Sequence, residues 1–185
     1  MFKKLTGGGI LQPRPSIASI VRGSLGGFLG ILLLMYLTEW SGTMWIMAPF
    51  GSTCVLMFVL PSSPLAQPRS IIGGHLVASF IGLLFIHLLG NSALSVALAI
   101  ACAIAAMQIL RVLHIPAGGD PLVIMLLGIN DFNFLLTPVL LGSIALVLAG
   151  IVINNIGKDA RYPRYWIGAH SSSTSAALER EREKK

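Results

Sequence analysis

A polar octapeptide at residues 114–121, His-Ile-Pro-Ala-Gly-Gly-Asp-Pro, interrupts an otherwise apolar stretch and limits the folds open to this chain. The run after it, residues 122–129, rises only about 12 Å as a helix, against a hydrocarbon thickness of about 30 Å. That run is too short to cross a bilayer alone. Irregular backbone at membrane depth persists only where protein or a wet cavity satisfies its polar groups. We therefore expect the octapeptide to form one wall of a site, the alternative being an ordinary Gly/Pro-rich loop outside the membrane.

The composition indicates the class of protein. Hydrophobic residues make up 55% of the 185 residues and charged residues 11%, whereas about a quarter of a soluble domain is charged. We predict an integral membrane protein. The net charge of +6 does not indicate a nucleic-acid partner, because the basic residues lie between apolar segments and at the ends. No nucleophile–base pair, phosphate loop or metal-ligand spacing is visible, so we expect neither an enzyme nor a cofactor.

Six apolar segments predict an all-α membrane protein with six transmembrane segments. They are residues 17–37, 44–60, 71–89, 93–113, 122–136 and 138–156. This number places the basic residues on one side and Glu39 and Asp131 on the other, so the positive-inside rule puts both termini in the cytoplasm, most simply across a bacterial inner membrane. Residues 1–16 are then a basic arm, residues 17–156 the transmembrane domain, and residues 157–185 a cytoplasmic tail.

A weak internal repeat divides the transmembrane domain. A shift of 68 residues lays residues 48–57 over residues 116–125 and aligns Gly51 with Gly119. Each unit contains three spans, at about 17–89 and 93–156. Because three is an odd number, the second unit must cross the membrane in the opposite orientation to the first. The sequence therefore predicts two inverted repeats with broken or re-entrant helices. In transporters of this kind the site lies near the midplane, where the N-termini of discontinuous helices attract anions. Ser52 and Asp120 are expected to occupy equivalent positions, each capping one half-helix.

The candidate substrate-binding residues lie in or beside the two breaks. A guanidinium can bind a planar oxyanion through two hydrogen bonds, a histidine titrates near neutral pH, and glycine permits close backbone approach. Each residue also has a purely structural interpretation, as a cap, a membrane anchor or a packing contact. The set is Phe50, Gly51, Ser52, Thr53, Arg69, His75, His114, Ala117, Gly118, Gly119 and Asp120.

Two helices carry small residues at intervals that favour close helix packing. The first span has glycines at 23, 26, 27 and 30, and the fourth has alanines at 93, 97, 101 and 105. Such faces let helix backbones approach within one chain or between copies. We therefore expect a homo-oligomer.

Four short motifs resemble, in order, those of the HPP family of small bacterial and plastid membrane proteins. They are Ala-Pro-Phe-Gly-Ser at 48–52, Pro-Leu-Ala-Gln-Pro-Arg at 64–69, Gly74-His75, and His-Ile-Pro-Ala-Gly-Gly at 114–119. The resemblance covers roughly residues 17–156. It implies a membrane protein, with nitrite transport attached to cyanobacterial and chloroplast members.

Two residues depart from the family pattern and keep other functions open. Ile115 replaces the first proline of the name-giving motif, and Asp120 stands where alanine is usual. A carboxylate opposes an anion unless it caps a helix, is protonated or pairs with an arginine. The sequence thus predicts a transporter or channel for a small inorganic anion, and the resemblance implies that this anion is nitrite. The alternatives are a cation- or proton-coupled transporter using Asp120 and His75, and a non-transporting sensor or assembly module whose residues 179–185 bind a partner.

Overall fold

The computed structural model describes residues 11–156 and 161–167, and none of these residues forms a strand. The predicted partner-binding residues 179–185, with the rest of 168–185 and residues 1–10, lie outside the described residues. The all-α prediction is confirmed. The six α-helices of the described part are α1 (Ile17–Ser41), α2 (Pro49–Val59), α3 (Pro68–Leu89), α4 (Ala93–Ile109), α5 (Asp120–Leu126) and α6 (Leu141–Asn154).

Serine and proline begin these helices, and glycine ends several of them. The hydroxyls of Ser16 and Ser92 accept hydrogen bonds from the first turns of α1 and α4, which satisfies free amides there. Pro49 is the first residue of α2, where its missing N–H costs nothing. Gly42 and Gly90 follow α1 and α3 with φ of 67° and 68°, a region that other residues rarely adopt. The helix bounds therefore follow from local chemistry.

Three helical stretches are long and apolar enough to cross a membrane: Ile17–Ser41, Pro68–Leu89 and Phe132–Asn154. Three shorter apolar stretches lie between them, namely Pro49–Val59, Ala93–Ile109 and Ile115–Leu126. The last long stretch is kinked at Thr137, whose backbone is not helical. The predicted segment 122–136 is wrong as one span, because α5 ends at Leu126 and residues 132–136 begin the last long stretch. The six-span inverted repeat stays a prediction.

The glycine face of α1 packs against α2 as expected. A Cβ on Gly26 would lie 2.5 Å from the ring of Phe58, and one on Gly30 would lie 3.2 Å from the same ring. The face is used within this chain. Gly27 is the exception, since no described atom comes within 4 Å of the position of its Cβ.

The prediction that the alanine face of α4 packs closely is wrong for contacts within the described chain. Ala93, Ala97, Ala101 and Ala105 are exposed, and α4 instead buries Ser95, Ala99, Ala103 and Met107. Both stripes consist largely of small or apolar residues at four-residue spacing. Because a helix that is apolar all round has no preferred face, the pattern could not select the stripe that meets α3 and α5.

The described basic residues gather at one end of the helices, which we call the Arg69 end. Arg69 at the start of α3 hydrogen-bonds to backbone carbonyls after α4, and Arg164 contacts Ser62. Glu39, near the end of α1, and Asp131, before the last helical stretch, are exposed and lie away from it along their helices. Charge is therefore segregated along the helix axes, as the sequence predicts.

Candidate functional site

The two broken segments meet inside the helical bundle. The hydroxyl of Thr53, in the first turns of α2, lies 3.0 Å from Nε2 of His114. A Cβ on Gly119, at the end of the 3₁₀ turn Ile115–Gly119 that leads into α5, would lie 3.6 Å from Cγ of Pro49. We call this meeting point the junction. The two breaks that the sequence predicted to flank one site therefore come together, whereas the internal repeat stays a prediction.

Helix α3 holds the second break through two glycines. A Cβ on Gly74 would lie 2.6 Å from Cβ of His114, and one on Gly82 would lie 2.8 Å from Cα of Pro121. Only glycine admits such close approach of another backbone. Between them α3 presents His75 and Ser79, four residues apart and so on the same face. The small residues therefore bring two polar side chains of α3 against the junction.

Five buried side chains form one hydrogen-bonded chain at the junction, which we call the His–Asp network. Nδ1 of His75 lies 2.8 Å from Oδ2 of Asp120, and the hydroxyl of Ser79 donates to the same oxygen at 3.0 Å. Nε2 of His75 lies 2.8 Å from the hydroxyl of Thr53. His114 completes the chain, because its Nδ1 lies 2.7 Å from the carbonyl oxygen of Leu65.

The network is sealed from the surface of the chain. Its five side chains, those of Thr53, His75, Ser79, His114 and Asp120, are all 0% exposed. His75 lies about 10 Å along α3, a candidate membrane-spanning helix of about 33 Å, so the network lies about a third of the way along this apolar helix. The edge of the Phe50 ring covers His75 with a centroid separation of 5.0 Å. Ionisable groups at such depth are expensive and generally functional.

The geometry restricts where protons can sit. A carbonyl only accepts, so Nδ1 of His114 carries a proton and donates it to Leu65. The hydroxyl of Thr53 has one proton, which can go to the carbonyl oxygen of Pro49 at 3.3 Å or to Nε2 of one of the two histidines. When it goes to one histidine, Nε2 of the other donates to the Thr53 oxygen. With Nδ1 of His75 donating to the Asp120 carboxylate, this condition requires one extra proton on the imidazoles. The network in which Nε2 of both histidines bonds to Thr53 is therefore neutral overall, either as one imidazolium with the Asp120 carboxylate or, when His75 donates to Thr53, as neutral imidazoles with a protonated Asp120 carboxyl.

The predicted capping roles of Ser52 and Asp120 are wrong. Helix α2 begins at Pro49 and α5 at Asp120 itself, and neither has a side-chain cap. Ser52 is exposed on the outer face of α2, and Asp120 points at His75. The 3₁₀ turn before α5 already satisfies the amide of Asp120 through Ala117, which frees the carboxylate for the network. Oδ1 of Asp120 is buried without a hydrogen-bond partner among the described residues.

The other predicted site residues divide into those near the junction and those away from it. Phe50 and Ala117 are fully buried beside it, and Gly118 and Gly119 are half-buried in the turn. Gly51 is exposed like Ser52, because both lie on the face of α2 that turns away from α3. Of the predicted residues, the structure thus links Thr53, His75, His114 and Asp120 directly.

Arg69 does not join the network. Its Nε donates to the carbonyl of Arg111 at 3.2 Å, and its terminal nitrogens donate to Leu110 at 3.1 Å and to Ile167 at 2.8 Å. Arg111 has φ of 57°, an uncommon conformation for a residue with a side chain. Arg69 therefore binds the carbonyls of a strained turn, and most of its five donors are committed.

Two partners in the network were missed by the sequence reasoning. Ser79 lies one helical turn after His75, and that spacing was the available signal. The carbonyl of Leu65 belongs to a Pro-rich loop, and no sequence pattern indicates which carbonyl a distant histidine will meet. Across the described residues no three His, Cys, Asp or Glu side chains are grouped as a metal site would require.

Comparison with known proteins places the chain among membrane proteins. A profile of the family described as HPP, transmembrane region, matches residues 12–163. Two transmembrane proteins of Dictyostelium discoideum are 30% identical over 176 residues and 32% identical over 179 residues, each match covering 89% of this chain. The chain spans 57% and 62% of those relatives, less than two thirds of their length. No solved structure matches. With most of its length covered by the profile, this chain belongs to the HPP family of transmembrane proteins.

Proposed function

We propose that this membrane domain transports a small inorganic anion together with a proton through the junction. The observation that carries the proposal is the pair of His75 and Asp120, joined at 2.8 Å and fully buried. An ionisable pair inside an apolar slab costs several kcal/mol of desolvation, and such groups in membranes mark ion or proton pathways. Coupling to a proton combines two functions that the sequence left open, namely transport of a small anion and proton-coupled transport that uses Asp120 and His75.

Thr53 supports a proton relay between the two histidines. In one arrangement Nε2–H of His75 donates to the Thr53 oxygen, and the Thr53 hydroxyl donates to Nε2 of His114. When His75 gives this proton to Thr53, Thr53 gives its own to His114, and the two hydrogen bonds at Thr53 reverse. The two states contain the same number of protons and hydrogen bonds. One proton has then moved from the Asp120 side of the junction to the Leu65 side.

The pairing of Asp120 removes the main objection to an anionic substrate. An isolated carboxylate would repel nitrite, but Asp120 is matched by a shared proton and by the hydroxyl of Ser79. The remaining acceptor, Oδ1, has no partner in the described part of the chain and can receive a donor that arrives with the substrate. Nitrite is the first anion to test, because the resemblance of the motifs implies it.

Transport of this kind depends on the full predicted architecture of six segments. Six segments in two inverted units place both broken segments at the second position of each unit, and the basic Arg69 end faces the cytoplasm. A proton and an anion that enter together carry no net charge. Transport is then driven by the pH gradient and by the anion gradient. The exposed alanine face of α4 is available for the predicted homo-oligomer.

The test is flux in proteoliposomes that contain the purified chain and a pH-sensitive dye. Nitrite added outside should acidify the lumen, and an inwardly directed pH gradient should accelerate nitrite uptake. The same measurement with nitrate, formate and chloride gives the anion selectivity. The paired variants Thr53→Val and Ser52→Ala change neighbouring residues of α2, of which only the first lies in the network.

Each alternative function has its own outcome. Nitrite uptake without acidification, unaffected by Asp120→Ala, indicates a simple anion pathway and overturns the coupling. Acidification without any of the anions overturns the substrate class. Absence of all flux from correctly folded protein overturns transport and favours a sensor or assembly module.

A further inference from the structure

A groove of about 1020 Å³ runs along the outside of the bundle between α1 and α2. One wall is formed by Ile20, Gly27 and Ile31 of α1, and the other by Gly51 and Val55 of α2. Its surface is mostly apolar. The groove lies on the far side of α2 from the His–Asp network, so it is not part of the proposed transport site.

Two glycines keep the groove deep although the helices do not require them. No described atom lies within 4 Å of the position that a Cβ would take on Gly27 or on Gly51. Glycine in a helix interior is less favourable than alanine by about 1 kcal/mol. Gly26 and Gly30, by contrast, are needed for contact with α2. The space beside Gly27 and Gly51 therefore has no explanation in the packing of the described chain.

The groove is basic at one end only. Arg14 and Arg22 line it near the start of α1, and none of the described residues that line it is an Asp or Glu. Nε of Arg22 is buried with no hydrogen-bond partner among the described residues. From Arg22 to Ile31 the helix rises about 14 Å, close to the depth of one leaflet of the hydrocarbon.

We propose that this groove binds an anionic phospholipid. The phosphate lies against Arg14 and Arg22, and one acyl chain follows the glycine-lined floor toward Gly51. Basic pockets between membrane helices on the cytoplasmic side bind anionic headgroups, and the groove supplies both the charge and the apolar channel. The volume is slightly above the range for small-molecule sites, about 300–1,000 Å³.

The test is native mass spectrometry of the full chain, purified in detergent and given phosphatidylglycerol or phosphatidylcholine with identical acyl chains. Phosphatidylglycerol should be retained preferentially. Arg22→Gln should reduce that preference by about fivefold, the equivalent of about 1 kcal/mol per basic residue. Gly27→Leu and Gly51→Leu fill open space and should abolish retention of both lipids.

The controls use matched positions outside the groove. Arg161→Gln removes an exposed arginine, and Cys102→Leu adds bulk at an exposed position of α4 outside the alanine face. Neither should change lipid retention. Equal retention of the two lipids, or preference unaffected by Arg22→Gln, overturns the headgroup assignment. Absence of retained lipid from the folded full chain overturns the proposal.

Discussion

The two broken segments meet at one junction but differ in their chemistry. The first begins at Pro49, continues as the 11-residue helix α2, and contributes a single hydroxyl, that of Thr53. The second passes through a 3₁₀ turn into the seven-residue helix α5 and contributes an imidazole and a carboxylate, those of His114 and Asp120. Helix α3 supplies the partners of both. The first break is thus neutral and the second titratable.

This difference shows that similar backbone positions need not present similar side chains. The repeat aligns Ser52 with Asp120, yet Ser52 is exposed and Asp120 is fully buried. The next residue of α2, Thr53, faces the junction instead. Because one residue turns a helix by about 100°, an alignment of breaks does not determine which side chain points inward. A neutral hydroxyl between two titratable rings suits a relay, since it both donates and accepts.

The largest effect is expected from removing the charge of the second break. In Asp120→Asn the amide oxygen can still accept from His75, but the shared proton is lost. We expect coupled proton uptake to fall by about a hundredfold, and the free energy of unfolding to fall by about 3 kcal/mol, as for other buried pairs that lose one member. Flux and thermal unfolding measure the two effects. Asp131→Asn, at an exposed position, is the control, and unchanged coupling in Asp120→Asn would contradict the proposed role.

A smaller effect is expected from the hydroxyl of the first break. Thr53→Val preserves shape but leaves Nε2 of both histidines without a shared partner, at a cost of about 1–3 kcal/mol for unsatisfied buried groups. Nitrite-dependent acidification should be lost. Thr53→Ser should restore it, and the exposed Ser52→Ala should behave as wild type. Acidification that persists in Thr53→Val would exclude the relay while leaving anion transport intact.

The glycines in and around the second break should differ sharply in how well they tolerate substitution by alanine. Gly74→Ala places a Cβ 2.6 Å from Cβ of His114 and 2.9 Å from the carbonyl of Val112, so we expect a loss of about 1–3 kcal/mol in stability from overpacking. Gly118→Ala and Gly119→Ala meet no such obstacle and should stay within about 0.5 kcal/mol of wild type. Thermal unfolding in detergent tests the expected order of stability among the three variants. A severe effect at Gly118 would indicate that a ligand or a partner approaches the turn.

A modest loss of stability and no effect on transport are expected at Arg69, outside the junction. Arg69→Lys keeps the charge but loses the planar fork that reaches three carbonyls, so we expect a fall of about 1 kcal/mol in stability. The KM for nitrite should not change. A raised KM with unchanged stability would show that Arg69 binds the anion, as its position in the motif first indicated.

Much of the architecture could be predicted from local sequence. The Pro-rich and Gly-rich breaks and the glycine face of α1 appear in the structure as expected. The caps at Ser16 and Ser92 were not predicted, although each serine stands directly before an apolar segment. These features depend on backbone chemistry within a few residues. Their physical causes are the missing N–H of proline, the free amides at helix starts and the absent side chain of glycine. Each of these follows from the type of residue alone.

The candidate site was predicted less completely. The junction and four of its five linked side chains were among the predicted site residues, but Arg69 and Ser52 were included on motif grounds and point elsewhere. Ser79 was not included. Helix rotation decides these cases, and in apolar helices the sequence carries little information about rotation because every face is compatible with lipid or with protein.

The residue types and their order therefore determined that this chain is an all-helical membrane protein with two interrupted segments rich in proline and glycine. Only the tertiary structure decided that Asp120 pairs with His75, that Thr53 joins two histidines, and that Gly74 and Gly82 admit the second break. The reason is that hydrophobic burial acts without direction, whereas hydrogen bonds between distant segments depend on the rotation and depth of each helix.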